Sequence, residues 1–205
     1  GGNEDDSVAA YTTSVSHGCV LGGELAAACA FCVTGNIIGY RSALSDKEIA
    51  LQNVFMALDD TNANEKGQSR EFAYMGQGEP GFSYSSVSSA IRGTDKAMGG
   101  LGIKVYRHIF ATCGVPSAIE RLARDIESEE YNSAILLHLS IHSVTQRDLI
   151  MLINLRFPLE EVMTAANEYS RRTGQKAVVN FMLFKDAVIS GKGPINTATV
   201  SEMEE

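Results

Sequence analysis

The sequence predicts an α/β fold in which mainly parallel strands alternate with helices, the sheet lying open or closing into a partial (βα) barrel. Three observations predict it. Runs rich in β-branched and aromatic residues recur at 12–16, 71–75, 104–110, 133–139 and 176–184. Helical patterns fall between them, and a strand-helix succession repeated through five strands demands parallel neighbours joined by right-handed crossovers. A length of 205 residues fits one domain with a sizeable core.

The helices follow from local chemistry. Ser45-Asp46-Lys47-Glu48 is a capping box that opens a helix to about Asp59, with Leu51, Phe55 and Leu58 sharing one face. A second helix is expected from about Tyr84 to Met98, with Val87, Ala90 and Ile91 inward and Gly99-Gly100 stopping it. Pro116 suits the first turn of a third, in which Ile119, Leu122 and Ile126 share a face. Pro158 opens a fourth, carrying Val162 and Ala166 inward and ending before Gly174. The polar stretch 59–70 reads as a surface insertion at the end of the sheet away from any site.

Composition narrows the class. Apolar residues at 44% and charged residues at 20% exclude a disordered chain. The longest apolar run, Leu25 to Val33, is nine residues, less than half of what a bilayer crossing needs, and the N-terminus lacks a basic signal-peptide start. No membrane partner is therefore expected. The net charge of −8 is concentrated at the ends, because six acids (Glu4, Asp5, Asp6, Glu202, Glu204 and Glu205) lie there and the remainder carries 19 acids against 17 bases, or −2. Such a body lacks the broad positive field of sequence-independent nucleic-acid binding, so an RNA contact would use a local patch. The expected division is an acidic disordered tail at 1–11, a barrel domain at 12–190 and an acidic tail at 191–205.

In such folds ligands bind at the C-terminal ends of the strands, so the segments that follow each strand hold the candidate chemistry. Three of four cysteines, Cys19, Cys29 and Cys32, lie within fourteen residues of one another in the first such segment, with Cys113 apart. Crowded thiols without a signal peptide point to metal or redox chemistry in a reducing, intracellular compartment, the cytoplasm or an organelle matrix such as the mitochondrion. Three thiolates can hold three irons of a cubane cluster and leave the fourth open. Zinc is the alternative, with His17 as fourth ligand, and simple packing of small cysteines is another. The second segment, Met75-Gly76-Gln77-Gly78-Glu79-Pro80, combines glycines that let a ligand approach with the Glu79 carboxylate, suited to a cationic group such as an α-amino group. Ser140 and His142 follow the fourth strand, where the strand end can place both on the ligand side; a structural role for the lone histidine is the alternative.

Taken in order, Cys-x-Phe-Cys-x-Thr-Gly (29–35), Met-Gly-x-Gly-Glu-Pro (75–80), Thr-x-Gly-x-Pro (112–116), Leu-Ser-x-His (139–142) and Ile-Asn followed by Pro-Leu-Glu-Glu (153–161) resemble the RlmN/Cfr-like family. These are radical S-adenosylmethionine (SAM) enzymes that methylate adenine in ribosomal and transfer RNA. The resemblance spans about residues 12–190. It implies a partial (βα) barrel of the radical SAM type, a 4Fe-4S cluster on Cys19, Cys29 and Cys32, and SAM on the open iron. It also implies Gly78 and Glu79 near the SAM amino group, Ser140 and His142 near its ribose or carboxylate, and RNA or a ribonucleoprotein, with protein partners, as the interacting molecules.

The departures from the family pattern are specific. Its C-x3-C-x2-C spacing becomes C-x9-C-x2-C, with Leu25 at the expected first position and Cys19 reached only through a six-residue insertion containing Gly22-Gly23. Its Ser-Thr-Ser-Gly is here Ala111-Thr112-Cys113-Gly114, and its late asparagine aligns with Val188. Thr12 stands where a second reactive cysteine belongs, and no cysteine follows Phe184 to carry a methyl group. The expectations are a divergent radical SAM protein, or alternatively a degenerate relative acting as a binding or assembly factor in a ribonucleoprotein such as a ribosome. In either case the chain by itself is not expected to methylate RNA by the family's thiol relay.

Overall fold

The structure, a computed structural model, describes residues 8–23, 25–188 and 194–197. Five strands form one parallel sheet: β1 (Val8–Thr12), β4 (Ser69–Tyr74), β5 (Val105–Thr112), β6 (Ala134–Ser140) and β7 (Val178–Asn180), in that spatial order. Between β1 and β4 lie a short antiparallel pair, β2 (Ser16–Gly18) and β3 (Tyr40–Ala43), and helices α1 (Asp46–Asp59) and α2 (Thr61–Glu65). Helix α3 (Tyr84–Gly100) links β4 to β5, α4 (Pro116–Glu127) links β5 to β6, and α5 (Arg147–Ile150) and α6 (Leu159–Thr173) link β6 to β7. Strands adjacent in this crossover series are adjacent in the sheet, which is the winding of a (βα) barrel left open rather than of a doubly wound sheet.

The helices form for the reasons the sequence gives. Ser45 and Glu48 make both bonds of the capping box. Pro116 occupies the first turn of α4, and Gly174 ends α6 in the left-handed conformation. Helix α3 runs through Gly99 and Gly100 before stopping at Leu101, because its last turn is completed by bonds from the Leu101 amide to Ala97 and Met98. Alternate strand residues point to opposite faces. Phe72, Tyr74, Phe110, Ile135, Leu137 and Leu139 meet the helices, where each fully buried aliphatic or aromatic side chain contributes about 1.5–3 kcal/mol. Ala73, Ile109 and Ala111 form a separate apolar cluster on the opposite face. Leu51, Phe55 and Leu58 do share a face of α1, but it is the exposed one. Packing on α3 uses Ile49, Asn53 and Ala57 instead.

Between sheet and helices lies a largely buried polar cluster. The Asn53 amide nitrogen donates to the Tyr74 hydroxyl (3.1 Å) and to Thr94 Oγ1 (3.0 Å), and its oxygen accepts from Thr13. The Tyr74 hydroxyl bonds His108 Nδ1 (3.1 Å), His108 Nε2 bonds Asp95 Oδ1 (3.1 Å), and Ser133 donates to Asp95 (2.7 Å).

Three sequence expectations shift. The first strand is Val8–Thr12 rather than 12–16, so the ordered domain begins inside the expected 1–11 tail. Parallel pairing from Val8↔Ser69 to Thr12↔Ala73 outweighs the weak strand preference of Ala9 and Ala10. Residues 1–7 of that tail lie outside the described residues. At the other end, β8 (Ala187–Val188) pairs with β9 (Pro194–Ile195) across the expected boundary at 190, with Ile195 and Thr197 buried. Thr197 Oγ1 donates to the Met182 carbonyl (2.7 Å) and accepts from the Phe184 amide (2.9 Å). Residues 189–193 and 198–205 lie outside the described residues. The stretch 59–70 is more than a surface insertion, since it contains α2 with Ala63 buried, and Arg70 is itself buried in β4. No described helix is long and apolar enough to cross a membrane.

Candidate active site

The segments after β1, β4, β5 and β6 meet at one end of the sheet. Glu79, 2% exposed, is the centre. Its Oε1 accepts from the Gly81 amide (2.8 Å) and from Thr112 Oγ1 (2.5 Å), and its Oε2 accepts from the Cys113 amide (2.7 Å). Burial pushes its pKa up, and these three bonds oppose that shift. The preceding loop is held in place by close approach. Gly78 has φ +101°, and a Cβ there would meet Ser16 Oγ at 2.3 Å and Val15 Cγ2 at 2.7 Å. Gly78 therefore serves to seat the Glu79 loop against the segment after β1. Gln77 fastens the same two segments, accepting from the Val15 amide through its carbonyl (2.8 Å) and from the Gly18 amide through Oε1 (2.9 Å).

The cysteine loop is ordered around its insertion. The Gly22 amide donates to the Cys19 carbonyl (3.0 Å) and Ala27 to Leu21 (2.5 Å), with Leu21 buried. A Cβ on Gly22 would lie 1.8 Å from the Gly35 carbonyl oxygen, so its glycine is a packing requirement rather than a flexible joint. Asn36 Nδ2 clamps the second half, donating to the carbonyls of Cys29 (2.8 Å) and Cys32 (2.7 Å). The Ala30 amide ties it to Ile150 (2.7 Å).

The thiols are not arranged as the spacing suggests. Cys29 Sγ lies 3.8 Å from Cys113 Sγ. In that pair Cys29 is the lower thiol, held down first by the hydrogen bond, and Cys113 is raised by the same bond and by burial. The Cys19 thiol is raised by burial, with smaller contributions from Glu79, Cys29 and Cys32. Among the described residues no three His, Cys, Asp or Glu side chains gather closely enough to hold a metal ion. Soft thiols suit iron-sulfur chemistry, so the donor type fits a cluster, while convergence of Cys19 on Cys29 and Cys32 requires movement of the inserted loop. His17 is exposed and lines a cavity with Ser14, Glu48 and Gln52 that contains no cysteine, which removes the support for a zinc site through His17.

Arg147 is the residue the sequence hid. It is 1% exposed, donating from Nη1 to Asn154 Oδ1 (2.6 Å) and from Nη2 to the Cys113 carbonyl (2.5 Å), while its buried Nε has no partner. Its charge feels Cys113, Cys29 and Glu79. The polar run around it gives no periodicity to mark it. Only its spacing before Asn154 is a clue, and only in hindsight. His142, in the left-handed region at φ +64°, accepts from the Met182 amide at Nδ1 (3.1 Å) and meets the Phe31 ring edge-on, 5.2 Å between centroids. Burial, then the Arg147 charge, lowers its pKa to about 4. Ser140 ends β6 paired with Asn180 on β7. Beside Glu79 a cavity of about 350 Å³ is lined also by Val20, Leu25, Phe82 and Arg156.

No family model matches the chain. It is 33% identical over 168 residues to the probable dual-specificity RNA methyltransferase RlmN of Moorella thermoacetica, covering 81% of this chain and 44% of that protein. It is 32% identical over 198 residues to the RlmN of Desulfitobacterium hafniense, covering 96% and 50%. The chain is a divergent member of the RlmN/Cfr-like radical SAM family. It spans about half the length of the curated relatives it matches. A radical SAM methyltransferase from Sphaerobacter thermophilus shares the fold, with a TM-score of 0.74 at 24% identity over 95% of this chain and 50% of that one. The anSMEcpe structure with bound AdoMet and a Cp18Cys peptide is a more distant fold match, with a TM-score of 0.52 at 14% identity over 85% and 42%.

Proposed function

We propose that this chain is the cofactor-binding barrel of a radical SAM enzyme that acts on RNA. In this reading Cys19, Cys29 and Cys32 hold an iron-sulfur cluster, Gly78 and Glu79 receive the SAM α-amino group, and Ser140 and His142 face its ribose or carboxylate. The observation that carries it is the convergence of Glu79 with the cysteine loop at the C-terminal strand ends, beside an open cavity. The similarity to RlmN proteins favours this catalytic reading over a non-catalytic assembly factor.

A cluster held by Cys19, Cys29 and Cys32 with SAM beside it would supply one-electron radical chemistry at such a site. The chain supplies orientation. An ionised carboxylate has about four acceptor positions, and Glu79 spends three of them on Gly81, Thr112 and Cys113, which leaves one for an ammonium group. His142 is neutral at pH 7 with Nδ1 occupied by the Met182 amide, so its proton sits on Nε2, free to donate to a ligand oxygen. Val20, Leu25 and Phe82 give the cavity an apolar wall beside the carboxylate. Transfer of a methyl group through protein thiols is a separate requirement. Thr12 lies exposed at the end of β1, and its hydroxyl is a far weaker nucleophile than the thiolate that the relay needs.

The test is equilibrium binding of SAM to anaerobically iron-loaded protein. Wild type binds, and Glu79→Ala weakens binding at least about tenfold, the equivalent of one lost charge-assisted bond. Failure of iron-loaded wild type to bind SAM overturns the reading. With methyl-labelled SAM, a reductant and ribosomal RNA, this chain alone leaves adenine unlabelled.

A further inference from the structure

We propose that Cys29 and Cys113 form a redox-modification site: a reversible disulfide that joins the cysteine loop to the turn after β5 and withdraws Cys29 from metal binding. The bond itself stands on geometry alone, whereas its effect on metal binding rests on the cluster reading above. The two sulfurs are 3.8 Å apart, and a disulfide of about 2.05 Å needs them to approach by less than 2 Å, within reach of side-chain rotation. The backbone is braced for this. The Cys113 amide is held by Glu79 and its carbonyl by Arg147, while Cys29 is held through Asn36 and its bridge to Met151. Both chain segments stay in place while the thiols turn.

The sequence suggests a different pair. Cys29-Ala-Phe-Cys32 has the spacing of a dithiol motif, yet the structure sets Cys29 against Cys113 from the far side of the sheet end. Cys113 stands where the family pattern that this sequence resembles has serine. The reaction takes a peroxide as co-reactant. One thiol is oxidised to a sulfenic acid with release of water, and the second thiol displaces the sulfenic hydroxyl as a second water. Two thiols and one hydrogen peroxide thus give one disulfide and two waters, and a small thiol reductant reverses the change.

The full chain, purified without metal and fully reduced, is treated with stoichiometric hydrogen peroxide, blocked with an alkylating agent and digested with trypsin. Cleavage after Arg41, Arg107 and Arg121 puts Cys19, Cys29 and Cys32 on one peptide (1–41) and Cys113 on another (108–121). The expected product is these two peptides linked, in a chain lighter by about 2 Da before digestion. The link persists in Cys19→Ser and Cys32→Ser and is lost in Cys29→Ser. An unlinked pair of peptides, or a disulfide confined to 1–41, overturns the proposal in the wild-type protein without reference to any variant. A second arm adds ferrous iron and sulfide anaerobically to reduced and to oxidised protein. Reduced protein takes up several-fold more iron, and Cys113→Ser loads equally before and after peroxide. If the link forms but reduced protein takes up no iron, the disulfide stands and the cluster reading fails.

Discussion

Two buried polar clusters in this molecule are made of similar groups and finished differently. In the one between sheet and helices, Thr13, Asn53, Tyr74, Thr94, His108, Asp95 and Ser133 spend their side-chain polar atoms on one another. In the one at the strand ends, Glu79, Thr112, Cys113, Arg147 and Asn154 are also mutually bonded, but Arg147 Nε is left over, two thiols face each other and a cavity opens beside the carboxylate. Closure marks the first cluster as structure. Incomplete closure, at the end of a parallel sheet where ligands bind, marks the second as a site. An orphan nitrogen alone does not carry that distinction. Arg70 Nε is also unpartnered, yet its Nη atoms are spent on Asn64 and on the Gln68 carbonyl, at the start of β4 and so at the other end of the strand from the site.

The contrast is broken most directly at Asn53. Asn53→Ala removes the partner of Thr13, Tyr74 and Thr94 at once, at a position with no exposure, and leaves a void. The expected loss is about 3 kcal/mol of unfolding free energy, read as a lower urea midpoint with unchanged slope. A loss below about 1 kcal/mol would show that the closed cluster is not a stability element.

His142 sharpens the comparison through pH, because it lies at the open cluster. Its folded pKa, about 4, is depressed below the ordinary value of 6.5. The unfolded chain therefore binds the extra proton first as pH falls. The stabilisation is complete above pH 6.5, declines between 6.5 and about 4, and declines no further below that. With the ring partly screened by solvent, the expected loss is about 2 kcal/mol across that window. His142→Asn keeps a residue that tolerates the left-handed backbone and removes the titration. Its urea midpoint changes less than that of wild type between pH 7.5 and 4.5, and identical pH profiles would remove His142 as the cause.

Much of this architecture was legible in the sequence, because its signals were local. The capping box at Ser45, Pro116 in a first turn and Gly174 at a helix end each act within one turn of chain, and each sits where its chemistry requires. The first strand was misplaced because Val8–Thr12 is a strand by virtue of its pairing with β4, which lies about sixty residues away in sequence. The exposed stripe on α1 misleads for a related reason. Periodicity identifies a face without saying which way it turns, and Asn53 turns the other face inward through its polar bonds. At the site, the Gly78-Glu79 loop and the cysteine loop were readable as motifs. The Cys29 contact with Cys113 and the burial of Arg147 were not, since both arise from segments brought together only by the crossovers.

Arg147 gives the smallest expected change in stability and the finest test of the comparison. Methionine matches much of its length without its charge. Arg147→Met forfeits the bonds to Asn154 Oδ1 and to the Cys113 carbonyl, which costs stability. It also removes a buried cation and an unpartnered Nε, whose burial raises the free energy of the folded protein and already lowers the arginine pKa. The two effects nearly cancel, so the expected net loss is about 1 kcal/mol, well short of the effect at Asn53. The functional consequence runs the other way. Without the cation, Glu79 keeps its three donors but loses a positive charge that it interacts with, its pKa rises further, and less of it is ionised to receive an ammonium group. SAM binding by iron-loaded Arg147→Met is therefore weakened more than its urea midpoint is lowered. A variant as unstable as Asn53→Ala, with SAM affinity unchanged, would place Arg147 among the closed structural contacts and erase the difference between the two clusters.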